Sequence, residues 1–445
     1  MSTEAPNVFA MPQSERSSLS ADFSWTFVGN VVYAAGQFAM LTLLTKLLRP
    51  EFVGQYALGL ALVYPLMMLT NMQLRSVMNS AGVQRADFGN FLSLRLLMTT
   101  LALAIAFVVT QVLHYGRELT EVVLMVGCAY GIETISDVFY ARLQLHDRMA
   151  EIAKSMMIRA LLSVLGMGVA VYLSGSLLWG ILAVVIARCV VLLGYDISQR
   201  TQNLAGNSGR FSNKVLVPCF DSKEQLGLLR HGLPLGIVVL LTTLSSSLPN
   251  FFIKHGLTER DLGIFSVISL TISVGNMAVV SLGQAAFTRL ARSYFHRNAG
   301  EFDALLGKLL LAGAAIGAVG MIVAQFAGRE ILTMIFRPEY AERADLLPWI
   351  MAAGAILFMA QFVGFGLPAA GYYYAQVLPD ILATISLVAT CNWLIAHHGL
   401  FGVILSMLIA ALVQLVTSAI VLIVETRKHF STPVTAGESA RPNHD

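Results

Sequence analysis

The chain alternates apolar runs of about twenty residues with short polar breaks. Each run has the length that an α-helix needs to cross roughly 30 Å of hydrocarbon. The runs predict twelve helices, over 23–46, 53–74, 91–113, 120–142, 152–174 and 177–197, then 229–253, 262–284, 303–326, 346–367, 376–396 and 400–424. The one long internal polar stretch, SQRTQNLAGNSGRFSNKVLVPCFDSKEQ, falls between the sixth and seventh helices and reads as a linker. The expected organisation is a polar tail (1–22), a six-helix lobe (23–197), a linker (198–228), a second six-helix lobe (229–424) and a second tail (425–445). Because the tail before the first run holds no apolar core like that of a signal peptide, that run is expected to be a retained helix.

Composition strengthens this reading. The 445 residues are 56% hydrophobic and only 12% charged, whereas soluble proteins carry about a quarter charged residues. A water-soluble chain is excluded, and an all-α, multi-pass membrane protein is expected, since in hydrocarbon only a helix or a closed barrel satisfies its own backbone. Cys128, Cys189, Cys219 and Cys391 are scattered, with no CxxC or metal spacing, so neither a disulfide framework nor a metal site is expected. The 29 Lys and Arg residues are unevenly placed. With the N-terminus inside, 17 fall on cytoplasmic segments, including Arg142, Arg148, Lys154, Arg200, Arg210, Lys214, Lys223, Arg230, Arg289, Arg292 and Arg297. Eight fall on the far side: Lys46, Arg49, Arg117, Lys254, Arg260, Arg329, Arg337 and Arg343. The positive-inside rule then puts both termini in the cytoplasm.

The halves echo one another. An offset of 209 lays RPEFVGQYALGLA over TERDLGIFSVISL, bringing Gly54 onto Gly263, Val53 onto Leu262 and Tyr56 onto Phe265. SLRLL (93–97) corresponds to LGKLL (306–310), so Arg95 falls on Lys308, and LLWGIL (177–182) corresponds to GLFGVI (399–404). The three matches keep their order at equivalent topological places. Six helices per half make both lobes enter from the same side, a parallel repeat around a central cleft.

No GxSxG, P-loop GxxxxGK[ST] or HExxH motif is present, so no catalytic residue and no cofactor is expected, and nothing suggests a nucleic-acid partner. The paired His397 and His398 stand at a helix end and read as solvated. The informative residues are ionisable ones inside apolar spans, each costing about 2.5 to 3.5 kcal/mol on insertion scales unless paired or wet. Glu133 on the fourth helix and Arg188 on the sixth lie deepest and could pair; Asp137 follows Glu133 at i,i+4, with Arg95 and Arg159 nearby. One reading is an ion-paired network that knits the first lobe together. The other is a substrate site: three arginines against two acids leave positive potential, Lys308 adds to it, and the guanidinium fork suits phosphate oxygens. Asn30, Gln37 and Thr42 on the first helix, Ser245, Ser246, Ser247 and Asn250 on the seventh, and Asn276 and Gln284 on the eighth could hydrogen-bond sugar hydroxyls or bridge packed helices.

The first hairpin, with Arg49, Pro50, Glu51, Gly54 and Tyr56 in RPEFVGQYALGLA, and then NMQLRSVM, GNFLSLRLL, LGIFSVISL, LGQAAFTRLARSYF and GREILTMIFRPEYA, resembles the polysaccharide transporters. These are the Wzx-type flippases of the multidrug/oligosaccharidyl-lipid/polysaccharide exporter superfamily, and the likeness covers most of residues 22–424. The resemblance implies a flippase moving a polyprenyl-pyrophosphate-linked oligosaccharide across the bacterial cytoplasmic (inner) membrane. Its implied partners are that substrate, membrane lipids, and the polysaccharide polymerase and glycosyltransferases of the same process. Relatives often carry a charge toward the outer end of the seventh helix, where SLPNFFI here has Asn250, so no site role is transferred there. Two other functions fit the composition. An ion-coupled drug or metabolite antiporter of the same fold would use deep acids, for which Glu133 and Asp137 qualify; a membrane-embedded polymerase or glycosyltransferase would need a large extramembrane loop, and the longest here is the linker.

Overall fold

The computed structural model describes residues 19–75, 88–145, 148–198 and 219–431. Both outer tails (1–18 and 432–445) and most of the linker, with Arg200, Arg210 and Lys214, lie outside the described residues, as do the last residues of NMQLRSVM. Among the described residues the regular structure is helical throughout.

The first six helices are α1 (Leu19–Leu47), α2 (Pro50–Asn71), α3 (Phe88–Val112), α4 (Arg117–Leu145), α5 (Met149–Ser174) and α6 (Leu177–Val191), which runs on through a π-turn, Leu192–Asp196. Then come α7 (Ser222–Gly256), α8 (Glu259–Phe295), α9 (Ala299–Ile335), a 3₁₀ segment (Pro338–Leu346) and α10 (Leu347–Ala369). The last helical stretch, Val377–Ser431, breaks at Gly399, where φ is 57° and ψ is −133°. Its apolar part spans 51 residues; at 1.5 Å per residue a straight helix of that length would measure roughly 75 Å, far more than one crossing requires. Gly399 adopts the left-handed turn at no Cβ cost and divides the stretch into α11 (377–398) and α12 (400–431). Twelve helices among the described residues thus answer the twelve apolar runs in order. The largest differences are α8 and α9, which end at Phe295 and Ile335 rather than 284 and 326. Hydropathy marks only the apolar part of a helix, and nothing in the polar flanks stops the backbone ladder. Thr258 and Asp261 form a reciprocal capping box at the start of α8, and the Asn298 side chain caps α9.

The chain divides into two compact units, each with its own core. The first comprises Met1–Met40, Thr70–Ala104 and Cys128–Leu235. Its core joins Met72, Leu74, Phe88, Phe91, Leu94, Val138 and Phe139 with Leu192 and Leu228. Here α1 and α5 meet through small residues seven apart: a Cβ on Gly29 would lie 2.8 Å from Ala153 Cβ, and one on Gly36 the same distance from Ala160 Cβ. That pairing runs in the same sense along both helices, so α1 and α5 are parallel, as alternate crossings of a membrane require. Between helices in lipid the hydrophobic effect supplies little attraction, and close backbone approach through small residues replaces it.

The second unit comprises Leu41–Leu69, Ile105–Gly127 and Gly236–Asp445. Phe358, Phe362 and Val363 of α10 form the middle of its core, packed with Val279, Leu290 and Tyr294 of α8, Phe302 and Leu309 of α9 and Leu422 of α12.

Replacing Gly36 by Leu forces side-chain volume into the α1–α5 contact and is expected to cost about 1 to 3 kcal/mol, as overpacking of a dense core does. A lowered thermal midpoint in detergent, with α-helical content retained before melting, is the expected result; an unchanged midpoint would show that α1 and α5 do not meet there.

Candidate functional site

Buried charges of the first unit gather in two contact clusters, one across α1, α4 and α6 and one across α4, α5 and the end of α6, with Arg95 of α3 bonded to the end of α2. Arg188 of α6, 2% exposed, reaches α4. Its Nη1 lies 2.7 Å from Glu133 Oε2 and donates to the Ala129 carbonyl at 2.9 Å, while its guanidinium carbon stands 5.0 Å from the centre of the Tyr130 ring. One nitrogen of the guanidinium thus meets both a carboxylate oxygen and a backbone acceptor one turn before it. The other oxygen of Glu133 accepts from Tyr33 OH of α1, and Gln37 Nε2 donates to the same hydroxyl at 2.7 Å.

A second cluster lies between α4, α5 and α6. Arg159, 2% exposed, pairs with Asp196 at 3.0 Å and places its guanidinium 5.4 Å from the centre of the Tyr140 ring. Ser155 Oγ donates to the other Asp196 oxygen at 2.5 Å and also meets Tyr140 OH at 2.7 Å. Asp196 corrects the sequence-based charge balance. It is 3% exposed, at the end of the π-turn Leu192–Asp196 that prolongs α6. Among the described residues the three buried arginines therefore stand with three carboxylates, Glu133, Asp137 and Asp196, one more than the sequence-based balance counted. Such pairing is what makes buried charges tolerable: desolvation costs several kcal/mol per ion, offset only by close geometry and additional hydrogen bonds.

Arg95 differs from the other two arginines. It is 1% exposed and its Nη2 donates to Asn71 Oδ1 at 2.7 Å, where α2 ends ahead of Met72 and Gln73, both left-handed with φ of 49°. A cation suits the negative end of that helix. Its Nε and Nη1 are buried with no hydrogen-bond partner among the described residues. Asp137 is its electrostatic counterpart, and also feels Arg75 and Arg159, without a direct ion pair to Arg95.

Of the residues singled out from sequence, Arg95, Glu133, Asp137, Arg159, Arg188 and Gln37 come together in the first unit, while Asn30 is exposed on α1. Lys308, the repeat counterpart of Arg95, is exposed on α9 in the second unit. Asn250 and Asn276 also belong there, half-buried, and Asn276 Oδ1 has no hydrogen-bond partner among the described residues. Elsewhere in that unit Asp380 accepts from Gln414 Nε2 at 2.8 Å. Sequence reading missed Tyr33, Asn71, Tyr140, Ser155 and Asp196. The first four are ordinary polar residues of apolar spans, and no spacing in the sequence announces a π-turn.

Twelve helices with charge pairs buried between them define a multi-pass membrane protein with the fold of exporters and flippases. The lipid II flippase MurJ in an inward closed conformation matches it at a TM-score of 0.67 and 10% identity, over 92% of this chain and 89% of that one. An inward-facing multidrug resistance MATE family transporter of the MOP superfamily matches at 0.64 and 12% identity, over 95% of this chain and 98% of that one. Residues 19–293 match the polysaccharide biosynthesis protein family, to which the chain belongs. The capsular polysaccharide biosynthesis protein CapF of Staphylococcus aureus is 24% identical over 407 residues, 89% of this chain and 97% of CapF.

Removing either partner of the Arg159–Asp196 pair, as in Arg159→Met or Asp196→Leu, is expected to cost about 3 to 5 kcal/mol by leaving a buried charge unpaired. The double variant should be less destabilised than the sum of the two. Equilibrium unfolding of all four proteins measures the coupling; additive losses would mean that the two side chains do not interact.

Proposed function

We propose that the protein is a flippase that carries an oligosaccharide linked to polyprenyl pyrophosphate from the inner to the outer leaflet of the bacterial cytoplasmic membrane. Both termini lie in the cytoplasm, and the lobes 23–197 and 229–424 alternate access between the two faces. Family membership supports a role in making surface polysaccharide, and the likeness to MurJ supports a fold suited to moving a lipid-linked head group. Glycosyltransferases that build the substrate and a polymerase that consumes it are the partners this reading requires.

The observation that carries the site is the buried guanidinium of Arg95 with two donors left over. Arg159 and Arg188 are engaged by carboxylates, so they hold helices together and set the local field. Arg95 keeps N–H donors on Nε and on Nη1 for phosphate oxygens, and Asp137 balances its charge until an anion arrives. Gln37 and other amides and hydroxyls hydrogen-bond the sugars, and the polyprenyl tail stays in lipid. The pyrophosphate then never crosses bare hydrocarbon, where a charge costs several kcal/mol.

The likeness to a MATE transporter supports a second reading, an ion-coupled antiporter. Such a protein exchanges its cargo for a cation held by deep carboxylates. Glu133 and Asp196 are held by arginines, which weakens them as cation ligands.

Arg95→Ala is expected to lower export of lipid-linked sugar about tenfold or more at normal protein level, as the loss of a charge-assisted hydrogen bond of about 1.5 to 3 kcal/mol implies. Lipid-linked oligosaccharide accessible from the outer face of spheroplasts, measured against the total, gives the rate. Undiminished export would remove Arg95 from the substrate site, and export of a dye against an ion gradient in place of sugar would favour the antiporter.

A further inference from the structure

The two hairpin corners that match in sequence also meet in space. In the second unit, the first turns of α2 and α8 cross with backbone against backbone. A Cβ on Gly54 would overlap the Glu259 carbonyl oxygen, and a Cβ on Gly263 would overlap the Pro50 carbonyl oxygen. The contact is reciprocal: each glycine lies against the carbonyl four residues before the other. Pro50 falls on Glu259 and Gly54 on Gly263 at the same offset of 209, so the axis relating the two repeats passes between the glycines. Val53 and Leu262, likewise equivalent, are both 0% exposed beside them.

The ties around this crossing are polar. Gln55 Nε2 donates to Glu259 Oε2 at 3.0 Å, and Lys254 pairs with the other oxygen of Glu259. Lys46 Nζ donates to the carbonyls of Met334 and Phe336 at 3.0 and 2.9 Å, closing the C-terminal end of α9, and Arg337 donates to the Leu48 carbonyl at 3.4 Å. Water can replace every one of these bonds at the membrane surface. At the crossing itself the closest approach is backbone against backbone, each glycine facing a carbonyl, unlike the aromatic core around Phe358 and Phe362.

We propose that Gly54 and Gly263 form a symmetric latch that seals one mouth of the transport path and opens once per cycle, with Glu259 as the group tying α2 to α7 and α8. On the orientation taken above this is the outer mouth, and the assignment to a transport cycle rests on the proposed function. Alanine or a larger residue at either glycine prevents closure, because the opposing atom is a backbone carbonyl that cannot move aside.

The test uses the full chain in lipid nanodiscs with its four native cysteines replaced. Spin labels at Glu51→Cys and His255→Cys report the separation of the two corners. Two resolved distances are expected, and Gly54→Leu or Gly263→Leu should reduce the shorter one to about a tenth or less of the population. Should Leu prevent insertion, Gly54→Ala serves, with the same loss of the shorter distance. A single distance in the unsubstituted protein, or a distribution indifferent to these substitutions, overturns the latch. Independently, Gln55→Cys with Glu259→Cys should be joined by a short bifunctional thiol reagent. The link should stop export and a cleavable version should restore it; failure to link, or full export by linked protein, also overturns the latch. If the distances behave as expected while no lipid-linked sugar moves in any variant, the latch stands and the choice of substrate fails.

Discussion

A charge held among apolar spans is tolerable only if its counter-charge arrives with it, and the first unit is built around that requirement. Arg188 with Glu133 and Arg159 with Asp196 join α4, α5 and α6, while Tyr33 brings α1 to the same carboxylate. Apolar residues cannot supply this kind of attachment in a bilayer, since a leucine gains little by leaving lipid for another leucine. Ion pairs, reciprocal hydrogen bonds and the small-residue contact between α1 and α5 fix these helices instead. Arg95 stands out against that background as a buried guanidinium that makes no ion pair among the described residues and leaves both Nε and Nη1 without an acceptor there.

The internal repeat is kept in some places and broken in others, and the contrast separates roles. Gly54 and Gly263 are equivalent in sequence and make equivalent contacts, as expected where two copies of one corner meet on their shared axis. Arg95 and Lys308 are equivalent in sequence but not in environment, one buried at the end of α2 and the other exposed on α9. A symmetric element suits a movement that both halves share. An asymmetric charge suits recognition of a head group, which has no two-fold symmetry of its own.

Family membership and fold narrow the function from different directions. The match over residues 19–293 ties the chain to polysaccharide biosynthesis, while the likeness to MurJ and to a MATE transporter, at 10% and 12% identity, describes an architecture. Between the two proposed readings, flippase and antiporter, the pairing of Glu133 with Arg188 and of Asp196 with Arg159 favours the flippase. Acids committed to arginine partners stabilise helices; they are poorly placed to exchange a cation on every cycle.

Twelve spans, their order and the repeat were all legible in the amino-acid sequence. Crossing a bilayer imposes its cost on every residue of a twenty-residue window, so the signal sums beyond any single substitution. The Glu133–Arg188 pair was legible for a related reason, because two opposite charges deep in apolar helices have few other options. Asp196 was not, since one π-turn decides whether the end of α6 faces inward or out, and hydropathy is blind to that rotation. The spare donors of Arg95 and the meeting of Gly54 with Gly263 belong to the same class. They depend on where helices distant in the chain cross, and a crossing is set by packing of surfaces that only the folded protein brings together.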